Sequence, residues 1–239
     1  MPILEHLREL RSRLIISSIA LLVCTIVCFI FYKFILGILY EPFTVLNTPE
    51  TRQILFVNSI FEGFFTKIKI SFFSGIILSF PLHLYNVVRF IFPGLEKDEK
   101  RIIVVSLSVS FVLILCSSYY SYFQIIPLSI RFLTNNTFVP KQIGMLLNYG
   151  QNIFYIFQFL FMALVLFQLP IVLELLLIKN VIQRATLLKA SRYVIVIIFV
   201  LSAMLTPPDF VSQVSMALPL IVLYFLTLLI AKIFRFGEG

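Results

Sequence analysis

The sequence predicts an all-α, polytopic membrane protein with six transmembrane helices, for two reasons. First, 60% of its 239 residues are hydrophobic and 13% are charged, which leaves a soluble fold too little polar surface. Second, six apolar stretches are separated by short segments rich in charge, proline or glycine, and ~20 apolar helical residues cross a bilayer core ~30 Å thick. The stretches cover residues 14–38, 70–92, 102–126, 153–178, 193–205 and 210–230.

Residues 3–14, before the first span, have the pattern of an amphipathic helix. Leu7, Leu10 and Leu14 recur at positions i, i+3 and i+7, and charged residues occupy the positions between them. We expect this helix to lie at the membrane surface and then turn into the first span. Residues 54–65 are expected to form a second interfacial helix before the second span.

Prolines are expected to shape the next three spans. Pro81 lies inside the second span and Pro170 inside the fourth, where a proline ring removes a backbone donor and kinks a helix. Pro93 is followed by Gly94 and is expected to stop the second span. Pro127 is expected to end the third span.

The fifth span is short, because its apolar stretch has only 13 residues, Tyr193 to Leu205, which rise about 20 Å as a helix. Arg192 and Asp209 limit any extension of this stretch. Either the bilayer thins around it, or the helix packs inside the bundle away from lipid. A turn at residues 206–209 predicts a short antiparallel hairpin of the fifth and sixth helices, and residues 1–239 are expected to form one transmembrane domain.

The net charge of +8 is better explained by membrane topology than by nucleic-acid binding. Of the 19 lysines and arginines, 13 fall on one set of alternate loops together with both termini. The positive-inside rule then predicts that both termini lie in the cytoplasm or the stroma of an organelle. The opening residues, MPILE, resemble neither a secretory nor a transit peptide, so an organellar protein of this sequence is expected to be made inside the organelle.

Motifs for catalysis and for cofactors are missing from the sequence, so no enzyme activity, cofactor or metal is expected. Neither a phosphate-binding P-loop nor a G-x-G-x-x-G segment occurs. Cys24, Cys28 and Cys116 fit small buried apolar positions, although Cys24 and Cys28 are one turn apart and a two-ligand site is the alternative. His83 is expected to be a hydrogen-bonded core residue.

Polar side chains within the spans are candidates for function because burying them unpaired in lipid is costly. Glu174 lies near the end of its span and either reaches water or serves a function. Gln168 precedes Pro170 and either bonds the backbone carbonyl that the proline frees or faces a polar cavity. The full set is His83, Asn86, Gln168, Glu174 and Gln213.

Three groups of residues, in the same order along the chain, resemble the TatC family, the multispanning receptors of the twin-arginine protein translocase. Residues 6–14, HLRELRSRL, are similar to that family's opening H-L-x-E-L-R-x-R-L. Residues 90–101 carry FIFPGL followed by EKR, as in its first cytoplasmic loop. Residues 205–213, LTPPDFVSQ, are similar to its hairpin T-P-P-D-x-x-S-Q. The resemblance spans essentially the whole chain.

The resemblance implies that the protein binds twin-arginine signal peptides at the cytoplasmic or stromal face. Glu9 and Glu99 would be the acids that bind the two arginines, and Arg11, Phe90 and Pro93 would shape that face. From composition alone, surface charge pairing, such as Glu9 with Arg13 at i, i+4, is the simpler interpretation of these acids.

The resemblance also implies partners and a location. Small single-span proteins of the TatA and TatB type would dock at the hairpin that contains Pro207, Pro208, Asp209 and Gln213. A homo-oligomer within a larger complex would export folded proteins across the bilayer on the protonmotive force. Gln168 stands where many bacterial relatives have Glu, and Gln there is similar to plastid and cyanobacterial members. A plastid thylakoid membrane is therefore expected, with a bacterial or cyanobacterial inner membrane as the alternative.

The main alternative is a six-span secondary transporter of a small solute. Such transporters have internal repeats with paired discontinuous helices at the midplane. Pro81, Pro170 and Pro219 fall at unmatched positions in the two halves, so no repeat is evident. An intramembrane hydrolase is a third class, but the sequence shows no nucleophile and base pair to support it.

Overall fold

The computed structural model describes residues 3–46, 55–91, 97–135, 147–205 and 209–237. Within these ranges six helices are long and apolar enough to cross a membrane, which confirms the predicted fold class. The elements are α1 (Ile3–Ile30), α2 (Tyr32–Tyr40), a 3₁₀ turn (Glu41–Leu46), β1 (Leu55–Phe56), α3 (Glu62–Ile91), α4 (Lys97–Tyr120), a π-helical turn (Ser121–Ile125), α5 (Ile126–Leu133), β2 (Leu147–Asn148), α6 (Tyr149–Leu166), α7 (Leu169–Ile178), α8 (Arg184–Leu205) and α9 (Phe210–Ile233).

The first helix is continuous, so the expected separate interfacial helix at residues 3–14 is wrong. α1 runs from Ile3 to Ile30 without interruption. These 28 residues contain no proline and no glycine, so nothing in the backbone ends the helix where the charged segment gives way to the apolar one. The amphipathic segment is the first part of the first span's helix.

The expected interfacial helix at residues 54–65 is also wrong. Residue 54 lies outside the described residues, Leu55 and Phe56 form β1, and α3 begins only at Glu62. A carboxylate is favourable in the first turn of a helix, and Glu62 also accepts a 2.5 Å hydrogen bond from the backbone N–H of Asn58. α3 then continues through Pro81 to Ile91.

The third span does not end at Pro127, contrary to expectation. A π-helical turn at Ser121–Ile125 follows α4, and α5 then continues to Leu133. Pro127 occupies one of the first two positions of α5, where its missing N–H is not needed for an intrahelical bond. In the fourth span, by contrast, the helix is interrupted at Phe167 and Gln168, and Pro170 stands in the first turn of α7.

The fifth helix is longer than its apolar stretch. α8 begins at Arg184 and ends at Leu205, so a basic segment precedes the apolar residues that start at Tyr193. Backbone hydrogen bonding carries the helix through this segment, since lysine, arginine, leucine and alanine are all good helix formers. α8 and α9 form the hairpin that the sequence predicted.

The chain divides into two compact units, and unit 1 comprises residues 1–41, 49–108 and 146–157. In it α1 packs antiparallel along α3. Gly75 makes a close approach possible, because a Cβ there would lie 2.5 Å from Thr25 Oγ1 and 2.9 Å from Thr25 Cα. Nearer the start of α1, Asn86 Nδ2 donates a 2.9 Å hydrogen bond to Ser17 Oγ.

Unit 2 comprises residues 42–48, 109–145 and 158–239. Its apolar core joins α7, α8 and α9. The buried members of this core are Leu177, Leu187, Tyr224, Leu228 and Ala231. Tyr224 also donates its hydroxyl proton to the carbonyl of Leu187 over 2.8 Å, so the polar end of a core side chain joins α9 to α8.

Candidate functional site

The first candidate site is the end of unit 1 where α1 begins, here named the N-terminal face and formed by residues 7–13 of α1, the last turn of α3 and the first turn of α4. Because α1 and α3 are antiparallel, α3 ends where α1 begins. α4 starts at Lys97, six positions after α3 ends at Ile91. The residues that the sequence assigned to signal-peptide recognition all belong to this part of the chain.

Glu9 and Arg13 form an ion pair on α1, which is the i, i+4 pair considered from the sequence. Arg13 Nε donates a 3.1 Å hydrogen bond to Glu9 Oε1, and the guanidinium donates a second one to the same oxygen. The two side chains remain 15% and 27% exposed for Arg13 and Glu9 respectively. The carboxylate is thus reachable from water, but it already has a cationic partner.

The other predicted residues of the N-terminal face are less fully described. Phe90 is half-buried in the last turn of α3, and Arg11 is exposed on α1. Glu99 belongs to the first turn of α4, but its side chain lies outside what the structure describes, and Pro93 lies wholly outside it. The structure therefore brings the start of α1 and the end of α3 together without showing contacts among these residues.

The second candidate site is the start of α9, where Asp209 acts as the helix N-cap. Asp209 has an extended backbone and its Oδ2 accepts a 2.6 Å hydrogen bond from the N–H of Ser212. Ser129 Oγ on α5 donates a 3.4 Å hydrogen bond to Asp209 Oδ1. Asp209 is only 4% exposed, so its carboxylate stabilises the hairpin through these contacts inside the protein. Pro207 and Pro208 lie outside the described residues.

Gln213 connects the two arms of the hairpin. Its Nε2 donates a 3.1 Å hydrogen bond to the carbonyl of Phe199 on α8. Tyr120 at the end of α4 makes a comparable link, because its hydroxyl donates over 3.0 Å to the carbonyl of Ser215 on α9. Both bonds hold α9 against its neighbours, and both use polar atoms that the lipid cannot satisfy.

Gln168 lies at the interruption of the fourth span and is 4% exposed. Its Oε1 accepts a 2.6 Å hydrogen bond from Ser110 Oγ on α4. Its Nε2 has no hydrogen-bond partner among the described residues. The observed partner is a serine side chain on α4, which is neither of the two interpretations left open by the sequence.

His83 and Asn86, two further polar residues within the spans, each bond a serine. His83 Nε2 lies 2.9 Å from Ser79 Oγ, so His83 is hydrogen-bonded as the sequence predicted. Asn86 bonds Ser17, as described above. Glu174 is half-buried on α7.

Sequence reasoning missed the buried serines of the third span, one of which, Ser110, bonds Gln168, and a signal for them exists. Ser110, Ser117 and Ser121 are all fully buried and lie seven and four residues apart, which places them on one face of a helix. Serine is only weakly polar on hydropathy scales, so a search for charged or amide side chains passes over it. A search for helical periodicity among hydroxyls finds the stripe.

A second missed cluster lies at the opposite end of unit 1. Glu62 Oε1 accepts a 3.1 Å hydrogen bond from the N–H of Gly150. The hydroxyls of Tyr32 and Tyr149 are 2.6 Å apart, and Lys67 Nζ lies 4.0 Å from the centre of the Phe29 ring. These contacts fix the starts of α3 and α6 to each other and to the end of the first span.

An apolar cavity of about 200 Å³ lies in unit 2 between α7, α8 and α9. Ile197 in its wall is exposed while Ile198 and Leu220 are buried, so the cavity is a recess open to the outside of this unit. The lining residues are Leu169, Pro170, Leu173, Val194, Ile197, Ile198, Leu201, Leu220 and Tyr224.

Comparison with known proteins gives consistent matches along the whole chain. The family model described as Sec-independent protein translocase protein (TatC) matches residues 5–219. The Sec-independent protein translocase protein TatC of Carboxydothermus hydrogenoformans is 33% identical over 236 residues, which are 98% of this chain and 94% of the relative. The TatC protein of Aquifex aeolicus is 37% identical over 233 residues, 98% and 95% of the two chains.

A third relative and a solved structure extend these matches. The uncharacterized tatC-like protein ycf43 of Cyanidium caldarium is 33% identical over 236 residues, 98% of this chain and 95% of the relative. A crystal structure of the twin arginine translocase receptor TatC, in the detergent DDM, superposes with a TM-score of 0.81 at 36% identity. The match covers 94% of this chain and 98% of that one.

Proposed function

Since this chain belongs to the TatC family of Sec-independent protein translocase proteins, we propose that it binds twin-arginine signal peptides and exports folded proteins together with partner subunits. The membership confirms the resemblance inferred from the sequence, and it does not favour the secondary transporter. Six apolar helices and this membership make the chain a multi-pass membrane protein. The observation that carries the proposal is the agreement in sequence and fold with a twin-arginine receptor.

The signal peptide is proposed to bind at the N-terminal face, with Glu9 and Glu99 as the acids that receive the two arginines. A guanidinium offers a planar fork that a carboxylate can accept with two hydrogen bonds, whereas lysine presents a compact, strongly hydrated ammonium. Arg13 already donates two hydrogen bonds to one oxygen of Glu9, which supports the suitability of that carboxylate for a guanidinium. An incoming arginine would exchange with Arg13 rather than meet an unpaired charge.

Arg11, Phe90 and Pro93 are proposed to border this site. Phe90 is half-buried at the end of α3, so part of its ring is available to the apolar residues of a signal peptide. Arg11 is exposed and stands two positions from Glu9. It adds positive charge near Glu9 and would so limit binding of unrelated cationic segments.

Small single-span partners of the TatA and TatB type are proposed to dock against the α8–α9 hairpin. Asp209 and Gln213 would act by fixing the hairpin, since their side chains are bonded to Ser212 and Phe199, and Pro207 and Pro208 would set its turn. The apolar recess between α7, α8 and α9 supports this surface for an apolar helix. Several copies are proposed to associate within a larger complex, and the protonmotive force is proposed to drive the export of folded proteins.

The location is proposed to be a plastid thylakoid membrane, with both termini in the stroma. Gln168 and the similarity to the Cyanidium caldarium protein support a plastid, and a bacterial or cyanobacterial inner membrane is the alternative. The division of basic residues between alternate loops supports the orientation.

The function is tested by photo-crosslinking a purified twin-arginine precursor to the full chain in membranes. We expect crosslinks from the twin-arginine segment to residues of the N-terminal face and none from a precursor in which both arginines are lysines. Equal crosslinking of the two precursors would contradict specific recognition of arginine. A precursor that crosslinks only within unit 2 would contradict the proposed position of the site.

A further inference from the structure

Glu9 and Arg13 lie on the face of α1 that is turned toward α3. Ser17 follows Arg13 at the same spacing of four residues, and side chains four residues apart share one face of a helix. Ser17 Oγ accepts a 2.9 Å hydrogen bond from Asn86 Nδ2 on α3, which fixes the direction of that face. The ion pair therefore belongs to the stripe along which α1 packs on α3.

The register of the two helices places Arg13 level with the last turn of α3 and Glu9 beyond it. Because α1 and α3 are antiparallel and Ser17 meets Asn86, one turn back from Ser17 is level with one turn on from Asn86, which is Phe90. One further turn back brings Glu9 past the end of α3. The exposed fractions agree, since the Arg13 side chain is 15% exposed and the Glu9 side chain is 27% exposed.

Arg13 fills an oxygen that an arginine of a signal peptide would need. Its Nε donates to Glu9 Oε1 over 3.1 Å, and a second guanidinium nitrogen donates to the same oxygen. A carboxylate oxygen accepts two hydrogen bonds, and a guanidinium that binds a carboxylate with two parallel bonds uses both of its oxygens. A peptide arginine can therefore bind Glu9 in this way only after Arg13 has released at least one bond.

We propose that Arg13 is an internal competitor of the signal peptide, an inference that rests on the proposed binding of twin-arginine peptides at Glu9. Arg13 bonds the Glu9 carboxylate while no peptide is bound, and it bonds the carboxylate again when the peptide leaves. It stands four residues away on the same helix, so its effective concentration at Glu9 is high and constant. The competitor lowers the affinity for the peptide and favours its release.

Competition by Arg13 differs from selection between arginine and lysine. Any cation that reaches Glu9 must break the same Glu9–Arg13 pair, so the same free energy is subtracted from the binding of both. Specificity is the difference between two binding free energies, and a cost common to both cancels in that difference. Removal of Arg13 is therefore expected to tighten the binding of twin-arginine and twin-lysine peptides by one common factor.

Binding of fluorescent signal peptides to the full chain in lipid nanodiscs tests the competitor through Arg13→Gln. The buffer contains about 0.5 M salt, which screens charges that are not in contact. We expect both peptides to bind about two- to fivefold more tightly, because partly exposed ion pairs contribute about this factor. Weaker or unchanged binding of the twin-arginine peptide would overturn the proposal, since Arg13 would then support Glu9 rather than compete for it.

Arg13→Lys is a second variant that keeps the charge and the long side chain. A lysine ammonium lacks the planar fork of a guanidinium, so it should compete less well for Glu9. We expect a gain in affinity that is smaller than that of Arg13→Gln. A defect in folding lowers binding and cannot produce a gain. If Arg13→Gln fails to accumulate, the absence of a gain in Arg13→Lys overturns the proposal.

Arg8→Gln is the matched control for net charge. Arg8 is exposed and adjacent to Glu9 in the sequence, so this variant removes the same positive charge close to the same carboxylate. It should tighten binding less than Arg13→Gln does. Equal gains in the two variants would show that the peptides respond to net charge rather than to the Glu9–Arg13 pair.

Glu9→Gln shows whether the effect of Arg13 passes through Glu9. In a chain that already carries Glu9→Gln, the further change Arg13→Gln should give no more than the gain of Arg8→Gln, because no carboxylate remains to compete for. The full two- to fivefold gain in that chain would overturn the proposal.

The same measurements separate failure of the competitor from failure of the proposed function. Equal affinity of the unaltered chain for twin-arginine and twin-lysine peptides would contradict specific recognition of arginine. A preference of the unaltered chain for twin arginine, without a gain in either Arg13 variant, would overturn the competitor alone.

Discussion

Ser110 Oγ donates a 2.6 Å hydrogen bond to Oε1 of Gln168, which lies 58 positions later in the sequence. Both residues are buried, and Gln168 stands where the helix of the fourth span is interrupted. The bond therefore joins the interruption of the fourth span to α4.

Replacing Ser110 with alanine should destabilise the protein by about 1–3 kcal/mol, since it leaves the Gln168 carbonyl oxygen buried without its donor. Urea unfolding in detergent measures the effect. Ser108→Ala is the matched control, because Ser108 is exposed on the same helix and, among the described residues, bonds only the carbonyl of Val104. Equal losses in the two variants would show that the Ser110–Gln168 bond contributes nothing specific.

Replacing Asp209 with alanine should cost about 0.5–2 kcal/mol of stability through loss of the N-cap of α9. Asp209→Asn keeps an acceptor for the Ser212 N–H and should lose much less. Export assays on both variants separate the cap from the charge. If positioning of the hairpin is what matters, Asp209→Asn retains export; loss of export in that variant at unchanged stability would assign a role to the carboxylate charge.

Glu9→Ala and Glu99→Ala should each weaken binding of a twin-arginine precursor tenfold or more. Partly buried charge-assisted hydrogen bonds are worth roughly 1.5–3 kcal/mol each, so two of them give on the order of 10²–10⁴ in affinity. The measurement is precursor affinity with each variant. Glu96→Ala, at an acid three positions before Glu99 in the sequence, is the control and should bind normally. Undiminished binding by the Glu9/Glu99 double variant would mean that these two acids only balance nearby surface charge.

The sequence predicted the spans well but not where their helices begin and end. Hydropathy reports which residues favour lipid, whereas helix ends depend on backbone hydrogen bonds. α1 includes a charged segment without interruption, and α8 extends through Arg184, Lys189 and Arg192. The helix of the third span continues past Pro127 through a π-helical turn, and no residue type in that turn predicts it.

For the candidate sites, motifs identified residues such as Asp209 and Gln168 but not what they bond. Ser129 is 80 positions from Asp209, and such pairings depend on how helices pack. A single sequence contains no direct record of that packing. The Glu9–Arg13 pair could be predicted from the sequence because its two residues are only four positions apart on one helix.

Lengthening the apolar part of the fifth helix should block transport if its shortness matters. Insertion of about seven apolar residues after Val200 adds roughly two turns and nearly keeps the helical phase. We expect the variant to accumulate and bind precursor but to fail in export. A seven-residue Gly/Ser insertion after Asn136 is the control and should export normally. Normal export by the Val200 insertion would show that the short stretch is incidental.

The predicted orientation can be measured by labelling single cysteines with a membrane-impermeant reagent, after replacement of Cys24, Cys28 and Cys116. A cysteine at position 136 should react only from the side opposite the termini. A cysteine at position 238 should react from the cytoplasmic or stromal side. Labelling of position 136 from the cytoplasmic side would reverse the proposed topology.

The parallel pairing of β1 with β2 has a consequence for how the chain is made. Leu55 pairs with Leu147, and Glu62 bonds Gly150 across 88 positions, so this end of unit 1 cannot close until the ribosome has passed residue 150. At about 5–20 residues per second, synthesis of the 88 residues from Glu62 to Gly150 takes roughly 4–18 s. During this time the earlier spans lie in the bilayer while β1 still lacks its partner strand β2. A nascent chain arrested before Leu147 should therefore be open to protease at this end, and one released after Gly150 should be protected.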